Sequence, residues 1–214
     1  MVIKSITGVI CTCLGLVSIN AGAAILSVDW QTEGDNLITR DTTSGLEWLD
    51  LTATTSQSYN DVSSRFGAGQ EFEGWRYATQ SEAAAFFDAF GGNSAYYNGW
   101  STQNNGLFDI VSQYWGQTAC DTIGCSTGDG QSIFLTAEVV NVSTHSYGRI
   151  YDYDSNILSL TQDYVDVHVS SFQNSFSDVS LGSALVRVSA VPVPAAFWLF
   201  GSGLIAQLSY VRRK

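Results

Sequence analysis

The hydrophobic residues of this 214-residue chain follow different patterns in different places. Long apolar runs occupy both ends, at residues 6–19 and 195–211, while the middle mixes helix-period stripes with β-rich segments. Residues 37–40 and 46–50 read as two short strands about a Thr-Ser-Gly turn. Residues 58–66 predict a short helix with Tyr59, Val62 and Phe66 on one stripe. After the short apolar stretch 74–78, Thr79 caps a second helix, with Glu82 three residues on as its capping-box partner. Ala83, Phe86, Phe87 and Phe90 form the core-facing stripe of that helix, and Gly91-Gly92 ends it. Residues 93–105 read as a polar loop rich in aromatics, and 107–115 as a further helix. From there the pattern turns to strands at 132–140, 146–153, 164–172 and 184–188, separated by turn residues. Helices first and antiparallel strands later, with no internal repeat, predict one α+β domain over residues 24–190. It has a mainly antiparallel sheet and two or three short helices.

The two ends have a different logic. Residues 1–23 fit a secretory signal peptide, with Lys4 as the positive region, 6–19 as the apolar region and Ala21-Gly22-Ala23 as the cleavage site. The competing reading, a retained N-terminal anchor, suits a longer apolar run better. At the other end, Val191-Pro192-Val193-Pro194 leads into the apolar run, and Arg212-Arg213-Lys214 closes the chain. Pro194 fits the first turn of a helix, where its missing N–H costs nothing. Residues 195–211 as a helix rise about 25 Å, slightly short of the ~30 Å hydrocarbon core. Trp198 and Tyr210 suit the two interfaces, and the terminal cations hold their end in the cytoplasm with the domain outside. Seven inserting residues contribute only about −3 kcal/mol before Gln207 and the serines subtract. So marginal a helix suits a removable tail better than a permanent anchor.

Charge narrows the partners. All 20 acidic residues lie in 24–190 with five of the nine basic ones, Arg40, Arg65, Arg76, Arg149 and Arg187, a net charge of 5 − 20 = −15. Such a surface repels phosphate backbones and makes nucleic acid a poor partner. It tolerates divalent cations. Cys11 and Cys13 depart with the signal peptide, leaving Cys120 and Cys125 five positions apart. In an exported chain this spacing predicts a disulfide closing a small loop; a pair of metal ligands is the alternative, but no second Cys or His pair stands near.

Candidate chemistry is sparse. Tyr96, Tyr97 and Trp100 in the polar loop have faces that stack on sugar rings, or that pack over their own core. Asp152, Asp154 and Asn156, with Asp163 at the twelfth position, follow the first ligand spacings of a calcium loop. Ile157 stands where that loop needs glycine, and a simple turn explains the same residues. His145 and His168 show no zinc spacing and read as structural or surface residues. No nucleophile elbow, His-Glu-x-x-His, phosphate loop or dinucleotide fingerprint occurs, so the expectation is a non-enzyme. A Ser-His-Asp set assembled only in space is the alternative.

The C-terminal order of proline motif, helix and basic cluster, with the core Trp198-Leu199-Phe200-Gly201-Ser202-Gly203-Leu204, resembles the PEP-CTERM protein-sorting signal in its VPxP variant. Val193 replaces the family's eponymous glutamate. The resemblance implies an exosortase as partner, a membrane-embedded enzyme that processes the tail near the proline motif and passes the domain to the envelope or extracellular polysaccharide. An ordinary single-pass anchor is the alternative. In the middle, Ser44-Gly45-Leu46-Glu47-Trp48-Leu49-Asp50, Gly74-Trp75-Arg76-Tyr77-Ala78-Thr79 and Leu185-Val186-Arg187 resemble Lcl-like, C-type-lectin-related domains of exported bacterial proteins. The family's Arg-Leu-Pro-Thr is Arg76-Tyr77-Ala78-Thr79 here. The leading expectation is an envelope or matrix protein, held at the inner membrane with its domain in the periplasm until processed. A lectin-like polysaccharide binder, with or without calcium, is the second reading, and an extracytoplasmic hydrolase the third.

Overall fold

A computed structural model describes residues 24–120, 130–152 and 162–189. The signal-peptide and sorting segments, Cys125, Asp154 and Asn156 lie outside the described residues. Among the described residues, no helix is long and apolar enough to cross a membrane.

Three short helices and two mainly antiparallel sheets make an α+β fold. In chain order the elements are β1 (Ile25–Val28), β2 (Ile38–Asp41), β3 (Leu46–Leu49), α1 (Tyr59–Ser63), β4 (Arg76–Tyr77), α2 (Gln80–Ala89) and β5 (Asn98–Ser101). Then follow α3 (Leu107–Trp115), β6 (Ala119–Cys120), β7 (Gly130–Asn141), β8 (Thr144–Asp152), β9 (Asp163–Gln173), β10 (Leu181–Ser183) and β11 (Leu185–Val188). The strands divide into two sheets where the pattern suggested one. The first is ordered β1-β2-β3-β11-β4, and the second β10-β7-β8-β9-β5 with β6 also on β7. Among the described residues only the β10–β7 pair is parallel. The strand expected at 184–188 is β11; β10 is not marked by the pattern, and the chain passes from β10 in the second sheet to β11 in the first at Ala184.

That crossing is tied by backbone hydrogen bonds. Ala184 N–H donates to the Leu135 carbonyl (3.0 Å), Ala78 N–H to the Ala184 carbonyl (2.7 Å) and Ala137 N–H to the Ala78 carbonyl (2.8 Å). Ala78 and Ala184 are fully buried, and their small side chains let the two sheets approach. Gly182 serves the same end, because a Cβ there would sit 2.7 Å from the Leu51 carbonyl oxygen.

Two apolar clusters flank the first sheet. On one face Trp48 and Val186 join Phe86 and Phe87 of α2, Phe108 and Trp115 of α3, and Phe134, Ile150 and Val165 of the second sheet. On the other face Ile38, Leu49, Leu185 and Tyr77 pack with Val62 of α1, Phe72, Trp75, Leu135 and Leu181. Thr79 and Glu82 form the expected reciprocal capping box on α2, and Ser58 and Asp61 form a second one, which the sequence reading does not mark, on α1. Helix α3 is held from both sheets. Thr39 Oγ1 donates to the Tyr114 carbonyl (2.5 Å) and Ser132 Oγ to the Gly116 carbonyl (2.7 Å) at its C-terminal end.

Across β2, β3 and β11, Arg40, Glu47 and Arg187 lie in register on one sheet face. Glu47 is buried, and its Oε1 accepts from Arg40 Nη2 (2.6 Å) while its Oε2 accepts from Arg187 Nε (2.7 Å). Burial pushes the Glu47 pKa up, but the hydrogen bonds and charges of Arg187 and Arg40 outweigh it, and the net direction is down. Arg187 also lies 4.5 Å over the Trp75 ring. Glu47→Ala would leave two arginines facing each other across one strand. The expected loss is about 2–3 kcal/mol, below the ~3–5 of a fully enclosed pair because both guanidinium side chains are about a third exposed. Urea midpoints at constant slope measure it; a loss under ~0.5 kcal/mol would remove this triad from the account.

Acid should loosen the fold in a defined window. Asp35 accepts the backbone N–H groups of Trp30, Gln31, Thr32 and Leu37, chiefly the first, which lower its pKa from 3.8 to about 2. The Arg76 guanidinium, with the Thr79 cap, lowers Glu82 from 4.5 to about 2 against a smaller rise from burial. Both folded values lie below the unfolded ones, so the stabilisation is present above the unfolded values and is lost as pH falls through the folded ones. The urea midpoint should hold from pH 7 to about 5 and fall between about 4.5 and 2. In Asp35→Asn that fall should be smaller; an unchanged slope would show that this carboxylate does not contribute.

Candidate functional site

Residues opposite one another in a ladder share a sheet face, so register shows which side chains meet. On one face of the second sheet, Phe134, Ile150 and Val165 are fully buried against α2 and α3. The other face is divided. At one end Leu135 is buried, and Tyr147 and Phe172 stack at 4.3 Å over the second core cluster. At the other end the face carries no further apolar cover among the described residues.

Tyr164 of β9 pairs with Tyr151 of β8 on one side and Trp100 of β5 on the other, giving an aromatic row across three strands. The next row on the same face is Arg149, Asp166 and Asn98. Trp100 is 44% exposed, Asn98 is exposed, and Tyr151, Tyr164, Arg149 and Asp166 are half-buried. The rings are inclined: Trp100 lies 5.4 Å from Tyr151 at 56° and 5.6 Å from Tyr164 at 76°. They form a cluster with an exposed indole, with no flat plane. The Arg149 guanidinium sits 4.6 Å from the Tyr164 centroid and 5.6 Å from that of Tyr151, a cation–π arrangement. Asp166 Oδ1 accepts the His168 N–H (2.7 Å), and its Oδ2 takes the Tyr164 hydroxyl at 3.4 Å. Burial raises the Tyr164 pKa and the Asp166 charge adds to it, with Arg149 opposing, so the phenol stays a hydrogen-bond donor at neutral pH. Ring surface, a cation, a carboxylate and an amide thus converge on one patch. Such a set can stack and hydrogen-bond.

The three aromatics expected at a sugar-stacking loop do not stay together. Residues 93–105 include β5, which carries Trp100 into the sheet. Tyr96 is 42% exposed on a single 3-10 turn. Tyr97 is buried, its hydroxyl donating to Asp88 Oδ1 (2.9 Å) and its ring edge-on to Phe87, so it belongs to the core. Burial first, and then Asp88, raise its pKa. Tyr151, Tyr164 and Arg149 escaped the sequence reading. Their i, i+2 spacings, Arg149 to Tyr151 and Tyr164 to Asp166, place each pair on one strand face, but nothing in the sequence pairs the strands.

Of the calcium pattern, Asp152 and Asp163 lie among the described residues. Asp163 is buried and caps α3, accepting the N–H groups of Phe108 (2.7 Å) and Gly106 (3.2 Å). Burial raises its pKa against these bonds. Asp152 is buried beside it in register. Among the described residues, no group of three or more His, Cys, Asp or Glu side chains could hold a metal ion. Cys120 is disulfide-bonded at the end of β6.

His145 is buried, stacked 3.5 Å from Tyr59, with Nδ1 2.7 Å from Asn174 Oδ1. His168 Nδ1 lies 2.7 Å from Ser146 Oγ. That serine–histidine contact is closed to substrate, because Ser146 is fully buried and its hydroxyl accepts from Gln80 Nε2 (2.8 Å) and donates to the Ser170 carbonyl (3.2 Å). A shallow groove of about 180 Å³ beside α2 is lined by Asp41, Ser44, Trp48, Glu82 and Phe86. Its polar groups are engaged locally, Asp41 holding the β2–β3 turn through Ser44 Oγ (2.7 Å) and the Thr43 N–H (2.8 Å). No family model matches the chain, and comparison with curated proteins and with solved structures likewise finds no match.

Proposed function

We propose that this chain is an exported surface or matrix protein whose domain binds polysaccharide through the open face of its second sheet. The observation that carries the reading is the row Tyr151–Tyr164–Trp100 with Arg149, Asp166 and Asn98 beside it. Sugars present apolar C–H faces and a ring of hydroxyls, and this patch supplies aromatic surface next to polar groups of both donor and acceptor type. The inclined rings suit one sugar unit seated against the indole better than a flat crystalline chain. Among the described residues Trp100 lies outside both apolar clusters and is 44% exposed.

Binding to a glycan array at neutral pH, with calcium and with chelator, tests the reading. Trp100→Ala should weaken the bound glycan about tenfold, equivalent to ~1.4 kcal/mol, while shifting the melting temperature little. Tyr96→Ala, away from the row, should leave binding unchanged. Absence of binding to every glycan under both conditions would overturn the reading.

The route to the surface is read from residues 191–214 and their likeness to a sorting signal. Intact mass of the protein recovered from cells and medium should show a secreted species lacking everything after about Pro194. A full-length membrane species alone would point to a plain anchor and sink the processing step.

A further inference from the structure

We infer that the open face selects glycans carrying carboxylates, and that Arg149 is the group that pairs with the carboxylate. The inference rests on the polysaccharide-binding reading and adds the chemical class of the ligand. It starts from where the five arginines of the domain go. Arg40 and Arg187 share Glu47, Arg65 pairs with Glu71, and Arg76 pairs with Glu82. Among the described residues, Arg149 alone has no carboxylate within ion-pair distance, in a domain with four times as many acidic as basic side chains. Asp166, its register partner, is the nearest carboxylate by position, yet its oxygens turn to the His168 N–H and the Tyr164 hydroxyl.

What holds Arg149 instead is ring surface. The rings of Tyr164 and Tyr151 stabilise the positive charge, and the Tyr164 hydroxyl also takes a hydrogen bond from the guanidinium. Its Nε is buried and has no hydrogen-bond partner. The Nη groups of a half-buried guanidinium match a carboxylate in two-pronged geometry. The exposed indole lies 5.6 Å from the same Tyr164 ring that carries the guanidinium at 4.6 Å. A uronic acid unit, with its sugar face on Trp100, therefore has its acid group within reach of Arg149. The acidity of the domain does not veto this. At about 0.15 M ionic strength charges beyond ~8 Å are screened, whereas a direct contact on a partly dry surface is not.

The test measures binding of the full chain, at about 0.15 M salt, to polygalacturonate, to alginate and to the same polymers with their carboxyl groups reduced to alcohols. Wild type should bind at least one acid form about tenfold more tightly than its reduced form. Arg149→Gln should abolish that difference, Arg149→Lys should keep part of it, and melting curves should show both variants folded. Chelator should change nothing. Equal binding of acid and reduced polymers, or a preference that survives Arg149→Gln, would overturn this inference and leave the polysaccharide reading standing. Loss of acid binding on chelation would replace Arg149 by a metal bridge. If no polymer in a panel that also includes neutral glucans binds, both readings fall.

Discussion

The fold depends on one close approach, where the chain passes from β10 to β11 and ties one sheet to the other. A backbone buried at that depth must find hydrogen-bond partners in the protein, and Ala184 and Ala78 find them across the junction, at Leu135 and Ala137. Any larger side chain at either alanine would hold the sheets apart and leave those groups unpaired, which costs more than the contact itself contributes. The junction also fixes β7. Because β8, β9 and β5 are laid down on β7 in turn, β7 sets where the aromatic row stands, with Tyr151 of the row paired to Gln131 of β7.

With β7 fixed, the second sheet is unevenly covered. Helices α2 and α3 close one face completely, and the second apolar cluster reaches only the β10 end of the other. Beyond Tyr147 and Phe172 nothing among the described residues continues the cover. The side chains there are large, aromatic and half-exposed, and they are braced by charge. Arg149 lies against two tyrosine rings, and Asp166 orients one tyrosine hydroxyl. The same chemistry is used differently in the first sheet, where Arg40 and Arg187 both close on the one carboxylate of Glu47. One sheet ties its arginines to a carboxylate, and the other holds Arg149 against rings, with no carboxylate at ion-pair distance among the described residues.

Much of the local structure was legible in the sequence because it rests on contacts within a few residues. Thr79 with Glu82 marked the start of α2, Gly91-Gly92 marked its end, and the stripe Ala83, Phe86, Phe87 named the face that is buried. The helix at Leu107–Trp115 and the strands around Ile150 and Val165 follow from the same short-range patterns. The site was legible only in part. Trp100 stood out as an aromatic among polar neighbours, but its loop neighbour Tyr97 carried the same signal and turned inward to Asp88.

By itself, the sequence determined the α+β class, the boundaries of α2 and α3, the acidity of the domain and the presence of aromatic and charged side chains in strand-like segments. Those follow from propensity, capping and periodicity, which act along the chain. Only the tertiary structure decided that the strands form two sheets, that Asp163 caps α3, and that Trp100, Tyr164 and Tyr151 stand side by side with Arg149. Each of these depends on which strand pairs with which and in what register, and a shift of one residue would turn every side chain of a strand to the opposite face.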